Sequence, residues 1–357
     1  MTHIRLRDLG IVIGRFPAGT HNAITDVPGI LVGHKTLIYD EPRLARTGVT
    51  VILPRNNEIW RDYACAGYFS LNGCGEMTGM HWLAESGFLE TPIALTNTNQ
   101  VGTVHEALVR YGQERGLTEL ASLPVVAETW DGWLNDADGF HLRPEDVYEA
   151  IESASSGRVA EGNVGGGTGM ICHDFKGGIG TASRVLEMES GRYTIGALVQ
   201  ANHGSREDLR VNGVAVGQKI GWTDPPTPYS KPYHPSSSSS LIVILATNAP
   251  LLPTQCQRLA RRATIGFARV GGVGHNGSGD IFLAFSTGNH VPAGTKSPLT
   301  FQALPNRSLN EIFVATAEAV EEAILNALTA AETMIGYQER TVHALPLDRL
   351  KEMINCQ

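Results

Sequence analysis

Residues 241–246 read LIVILA, six consecutive apolar side chains, and a run of five serines directly precedes them. An apolar run of this length, rich in β-branched residues, reads as a buried strand, which needs a sheet around it. The approach, residues 223–240, holds five prolines and no helix or strand period, so it reads as an exposed loop. Ser240 therefore stands where a loop enters a buried strand. A hydroxyl in that position is a candidate nucleophile, and the bond before it is a candidate site of self-cleavage.

The rest of the chain supplies a sheet and its cover. Strands are expected from Asn22 to Leu37 and over residues 49–54, with EPRLARTG as a polar turn between them, and again at PIALTN and LPVVAETW. GIGTASRVL and YTIGALVQANHGSRED extend the series, and GHNGSGDIFLAFSTGN is a glycine turn that enters another strand. Helical spacing is read from Glu76 to Ser86, with Gly87 as C-cap, and from Val101 to Gly116, with Val104, Leu108 and Tyr111 on one face. RPEDVYEAIESA reads as a helix with Pro144 in its first turn. LLPTQCQRLARRATIGFARV is a helix with Leu252, Cys256 and Leu259 inward. A long helix is expected from Ser308 to Tyr337, opened by a capping box of Ser308 and Glu311.

Composition excludes several functions. A net charge of −8 leaves no basic surface for nucleic acid; Arg258, Arg261, Arg262 and Arg269 read as a solvated helix face. No run spans a bilayer and no signal peptide is visible, so a cytoplasmic location is expected. The five cysteines, at 65, 74, 172, 256 and 356, form no CxxC pair and read as free thiols, with Cys74 packed or reactive. The 12 histidines lack ligand spacing, and HExxH and EF-hand patterns are absent, so neither a metal nor a cofactor is expected; His203, His234 and His275 read as loop residues. The glycine cluster GNVGGGTGM at 162–170 lacks the features of a phosphate loop and reads as a tight turn that presents backbone N–H groups.

A serine nucleophile without a GxSxG motif or an obvious histidine partner needs another base. Were the bond before Ser240 to break, its new α-amine, of pKa about 7.7–8.0, would serve as base toward its own hydroxyl. The oxyanion donors would be the Asn202 amide or the turn's N–H groups at Gly166 and Gly167. Ser278 and Asp280 in NGSGD lie at a turn just before a strand, as steering groups. Glu128, at a strand end, is a candidate anchor for a substrate ammonium, with Trp130 beside it.

Taken as an ordered set, NAITDVPGILVGH, GEMTGMHW, ETWDGWLND, GNVGGGTGM, QANHGSR, SLIVILATNAPLLPTQ, RLARRA and NGSGDIFLAFST resemble the L-aminopeptidase/D-esterases and β-peptidyl aminopeptidases. The resemblance covers essentially the whole chain. It implies a single domain over residues 1–357: a four-layer αββα sandwich like that of N-terminal nucleophile hydrolases, with the connectivity shared with ornithine acetyltransferases. It further implies self-cleavage between Ser239 and Ser240 into an α polypeptide, 1–239, and a β polypeptide, 240–357. Ser240 would then be the nucleophile, Ser278 and Asp280 its helpers, Asn202 the oxyanion donor and Glu128 the amine anchor. Expected substrates are small peptides, amino-acid amides or esters, and the expected assembly is a homotetramer of cleaved units. Three positions depart from the family pattern: Ser239 replaces the usual Gly, Asn248 the usual Asp and Trp130 the usual Tyr. Glycine reaches strained backbone that serine does not, so Ser239 is expected to slow self-cleavage. Acyl transfer of the ornithine acetyltransferase type and an uncleaved, non-enzymatic binding homologue are the alternative readings.

Overall fold

The computed structural model describes residues 4–118, 122–228 and 239–355. His234 and Ser236 to Ser238 of the Pro-rich loop, and Cys356, lie outside the described residues.

Strands β1 (Leu31–Tyr39) and β2 (Ala45–Leu53) form an antiparallel hairpin. The first strand starts nine residues later than expected, because the Asp26 carboxylate accepts from the His21 and Ala23 N–H groups and winds Ile24–Asp26 into a 3₁₀ turn. The second begins inside the expected polar turn, where Arg46 donates to the carbonyls of Tyr39 and Ile335 and pairs with Asp40. Strand β3 (Asp62–Gly73) was not expected at all. Its small residues pass under a helix so closely that a Cβ at Gly67 would stand 2.5 Å from the Gln257 backbone nitrogen. Small side chains chosen for that approach carry no hydrophobic alternation.

The chain continues through α1 (Met80–Ser86), β4 (Phe88–Leu89), β5 (Ile93–Asn97), α2 (Val101–Glu114), β6 (Val125–Thr129) and α3 (Pro144–Glu152). Helix α1 starts four residues after Glu76 and ends at Gly87, which takes φ +80° and donates its N–H to Leu83 O. A short hairpin, β7 (Ile171–Cys172) and β8 (Phe175–Lys176), leads into β9 (Gly178–Met188) and β10 (Gly191–Asn202). Then follow α4 (Val216–Ile220), β11 (Ser240–Thr247), α5 (Pro253–Arg269), β12 (Gly279–Pro292), α6 (Leu309–Thr329), β13 (Met334–Ile335), β14 (Thr341–Val342) and α7 (Leu347–Asn355).

Two sheets result, of order β1-β2-β5-β6 and β4-β3-β12-β11-β10-β9. Their facing sides share one core: Val49, Val51 and Leu95 from the first meet Ile242, Ile244 and Leu283 from the second. The other face of the larger sheet, through Leu241, Val243 and Phe282, packs on Leu259 and Ala263 of α5 and Val320 and Ile324 of α6. Helices α2 and α3 cover the smaller sheet, with Val104, Leu108, Val147 and Ile151 buried against it. The four layers are therefore helices, sheet, sheet, helices, as expected. Strand β11, covered on both faces, lies at the centre of the larger sheet.

The expectations for α5 and α6 are corrected in part. Helix α6 ends at Thr329, eight residues early, because Asn163 bonds both the N–H and the carbonyl of Glu332 and draws the chain away; Ile335 is exposed. The capping box does not form: Ser308 is itself αR and caps nothing through its side chain. In α5, Leu252 is the residue before the helix, and Cys256 and Leu259 carry the inner stripe. The arginines of α5 do more than face solvent, since Arg262 lies 4.1 Å from the Phe313 ring and Arg269 pairs with Glu321.

Candidate active site

Strand register builds the site. Ser240, the first residue of β11, is directly opposite Asn202, the last of antiparallel β10, and opposite Gly279, the first of parallel β12. The Gly279 N–H lies 3.1 Å from the Ser239 carbonyl oxygen and 3.2 Å from Ser240 Oγ, so one donor reaches both ends of the bond-making pair at the Ser239–Ser240 junction. Ser239 and Ser240 are both buried. Asn202 is held rigidly: its Oδ1 accepts from Ile171 N–H at 2.8 Å and its Nδ2 donates to the Trp130 carbonyl at 3.0 Å.

Asp280 and Ser278 flank Gly279. The Ser278 hydroxyl donates to Asp280 Oδ1 at 2.8 Å, and Leu241 N–H donates to the same oxygen at 3.1 Å. Asp280 Oδ2 is buried without a hydrogen-bond partner among the described residues. Burial pushes the carboxyl up to about 6, against the lowering effect of Ser278, Leu241 and the neighbouring Asn72 amide. Asn72 itself donates to the His275 carbonyl at 2.6 Å and so ties β3 to the loop before Ser278.

Glu128, next to last in β6, has its carboxylate buried and engaged: Oε1 accepts from Glu76 N–H at 2.9 Å and Oε2 from the Thr98 hydroxyl. Burial raises its pKa in spite of those bonds. Only Gly75 separates it from the nucleophile's neighbours, since a Cβ there would stand 3.0 Å from Gly279 Cα and 3.1 Å from Glu128 Oε1. Trp130 joins through its backbone carbonyl on Asn202, and its half-buried indole lies over Gly132, where a Cβ would stand 2.2 Å from the ring.

The structure thus brings Ser239, Ser240, Asn202, Ser278, Asp280, Glu128 and Trp130 to one end of the sandwich. Gly166 and Gly167 fall elsewhere in the same layer. They form a 3₁₀ turn wedged between the sheets, where Gly166 N–H donates to Thr50 Oγ1 and Gly167 N–H to the Val164 carbonyl. Those N–H groups are committed to the fold; a Cβ on Gly166 would stand 2.2 Å from Gln200 Oε1. Lys176, fully buried, holds the same segment by donating to the carbonyls of Gly167, Met170 and Gly177. His203 is buried rather than a loop residue in solvent, and Cys74 is exposed, its N–H on the Ser278 carbonyl.

Sequence reading missed Gly279, Gly75, Asn72 and Thr98. The first lay inside NGSGD and the next two in LNGCG, but only the pairing of β3, β12 and β11 shows that they converge.

Comparison with known proteins agrees with this layout. Residues 22–342 match the model of peptidase family S58. A β-peptidyl aminopeptidase, BapA, of Sphingosinicella microcystinivorans is 46% identical over 98% of this chain and 91% of its own. A solved β-aminopeptidase of Burkholderia sp. superposes with a TM-score of 0.92 at 48% identity, over 99% of this chain and 98% of its own. The L-aminopeptidase D-Ala-esterase/amidase of Ochrobactrum anthropi, described as a prototype for the serine aminopeptidases and a variant of the Ntn hydrolase fold, gives 0.90 at 44%, over 99% and 98%. These likenesses favour peptide-bond hydrolysis over acyl transfer or a non-enzymatic role. With its αββα architecture and whole-chain similarity, this chain belongs to peptidase family S58 and is an aminopeptidase.

Proposed function

We propose that Ser240 is a self-generated N-terminal nucleophile that releases N-terminal β-amino-acid residues from small peptides, amides and esters. The observation that carries this reading is the position of the Gly279 N–H, within hydrogen-bond reach of both the Ser239 carbonyl oxygen and Ser240 Oγ. In the first step Ser240 Oγ attacks the Ser239 carbonyl carbon, and the developing oxyanion is stabilised by that N–H. The Ser240 nitrogen leaves with a proton, an ester forms, and water hydrolyses it. Two polypeptides result, 1–239 and 240–357, which remain one folded unit because β11 sits between β10 and β12.

In the second step the new α-amine takes the Ser240 proton as Oγ attacks the substrate carbonyl; the intermediate collapses, the protonated amine passes that proton to the leaving amine or alcohol, and water then hydrolyses the acyl ester and restores the Ser240 hydroxyl. Asn202 Nδ2 stabilises the oxyanion, and Ser278 and Asp280 hold the amine in place. Asp280 Oδ2, buried without a partner among the described residues, suits an ammonium group beside it. Glu128 anchors the substrate's own ammonium, which would draw its raised pKa back down. The β-amino-acid preference rests on the named activities of the relatives at 46% and 48% identity. A cytoplasmic tetramer of cleaved units completes the reading.

Acid-quenched mass spectrometry during turnover of a slow ester tests it. The acyl group is expected on the fragment that begins at Ser240; an adduct on the other fragment, or one that persists in Ser240→Ala, contradicts the assignment. A panel of β-, L- and D-aminoacyl p-nitroanilides tests the specificity, with the β-substrates expected to give the highest kcat/KM.

A further inference from the structure

Behind Asn202, on the helix side of the larger sheet, lie three buried side chains that the hydrolytic chemistry does not use: Cys172, His173 and His203. One ligand atom from each lies within 4.8 Å of the other two. Cys172 Sγ is 3.7 Å from His203 Nε2, close to the roughly 3.5 Å that zinc bond lengths and tetrahedral angles give for a sulfur–nitrogen pair. His173 Nδ1 lies 2.9 Å from the Ser205 carbonyl, which can only accept, so Nδ1 carries the proton and Nε2 keeps its lone pair. That Nε2 is buried with no partner among the described residues. A backbone carbonyl that fixes the tautomer of an imidazole whose other nitrogen has no protein partner is the usual outer shell of a metal ligand.

The surroundings keep this arrangement tight. His173 N–H donates to the His203 carbonyl at 2.7 Å, and Gly204, at φ +85°, leaves room for the His173 ring, which a Cβ would meet at 2.4 Å. Phe267 packs against the edge of His203 at 4.8 Å.

We propose that Cys172, His173 and His203 form a zinc site, with a water as fourth ligand. Thiolate and imidazole together select zinc over magnesium or calcium. On binding, the Cys172 S–H bond breaks, sulfur bonds the metal, and the proton leaves to solvent. The metal would tie together the two segments that meet at Asn202, because Cys172 follows Ile171, whose N–H bonds Asn202 Oδ1, and His203 follows Asn202.

The test reads metal, so it stands apart from the assignment of Ser240. The full chain carrying Cys74→Ser and Cys356→Ser is treated with chelator, loaded with Zn²⁺ and desalted; about one zinc per chain is expected. Loading with Co²⁺ instead should give a near-ultraviolet thiolate-to-cobalt charge-transfer band and the visible bands of a tetrahedral site. Both should vanish in Cys172→Ser. Failure to retain zinc, absence of the charge-transfer band, or survival of either signal in Cys172→Ser overturns the proposal. If Cys172→Ser does not fold, His173→Gln serves in its place, with the expectation of at least tenfold weaker zinc retention; unchanged retention overturns the proposal equally.

Discussion

Asp280 carries the clearest chemical consequence of a single residue. Its folded value of about 6 exceeds the ordinary value of about 3.9, so the folded state holds the proton more tightly than the unfolded chain does. Stability therefore falls as pH rises from about 4 to about 6, and Asp280→Asn should flatten that slope in an unfolding titration. Activity moves the other way. Only the ionised carboxylate can hold an ammonium group, so kcat/KM should rise with pH through an acid limb below about 6, the α-ammonium beside the carboxylate drawing its value down. In Asp280→Asn that limb should disappear and the rate fall by about 10²- to 10⁴-fold. Gly75 offers a steric counterpart, since its missing side chain is the space between Gly279 and Glu128. Gly75→Val should lower kcat/KM by about tenfold or more through misplacement of the site, as a p-nitroanilide assay would show.

At the scale of elements, what could be read in advance was whatever buries a periodic apolar face. Strand β11 announced itself by LIVILA, and α2, α3 and α5 by their stripes, because burial of those faces is what forms them. Strand β3 could not be read in the same way. Cys65 and Gly67 are small where α5 approaches, while Ala64 and Ala66 lie in the core between the sheets, so the pattern reports two different contacts rather than the strand. Gly67→Ala is thus expected to overpack the β3–α5 contact and to lower stability by about 1–3 kcal/mol, measurable as a lowered unfolding midpoint. The residues of the candidate site were named from strand-end positions and from family likeness; their meeting place depends on pairing between β10, β11 and β12, which no local pattern encodes. The Cys172, His173 and His203 cluster escaped notice for the same reason, as its third member arrives from a different strand.

For the whole molecule, the helix-side layer closes over a buried ionic network. Arg184 and Glu322 are fully buried and 2.7 Å apart, Glu322 also pairs with Arg7, and Arg184 reaches Glu318. Burial alone would raise Glu322, but Arg7 and Arg184 hold it below its usual range. The stability this group contributes is therefore present above the ordinary carboxylate value and lost as pH falls below it. Removal of the cation from the centre takes the charge partner from Glu318 and leaves Glu322 with Arg7 alone, so Arg184→Met should cost about 3–5 kcal/mol. Denaturant unfolding in a Ser240→Ala background, which is expected to remain one chain, would read that loss. The network joins the N-terminal segment to α6 and β9, across the bond at which the chain is expected to divide.

The central claim concerns that bond, and intact-mass measurement of the purified protein tests it most directly. The wild type should yield two polypeptides that divide between Ser239 and Ser240, while Ser240→Ala should remain a single chain of 38.4 kDa. An active wild type that stays uncut or divides elsewhere, or a Ser240→Ala variant that still divides at this bond, would contradict the account.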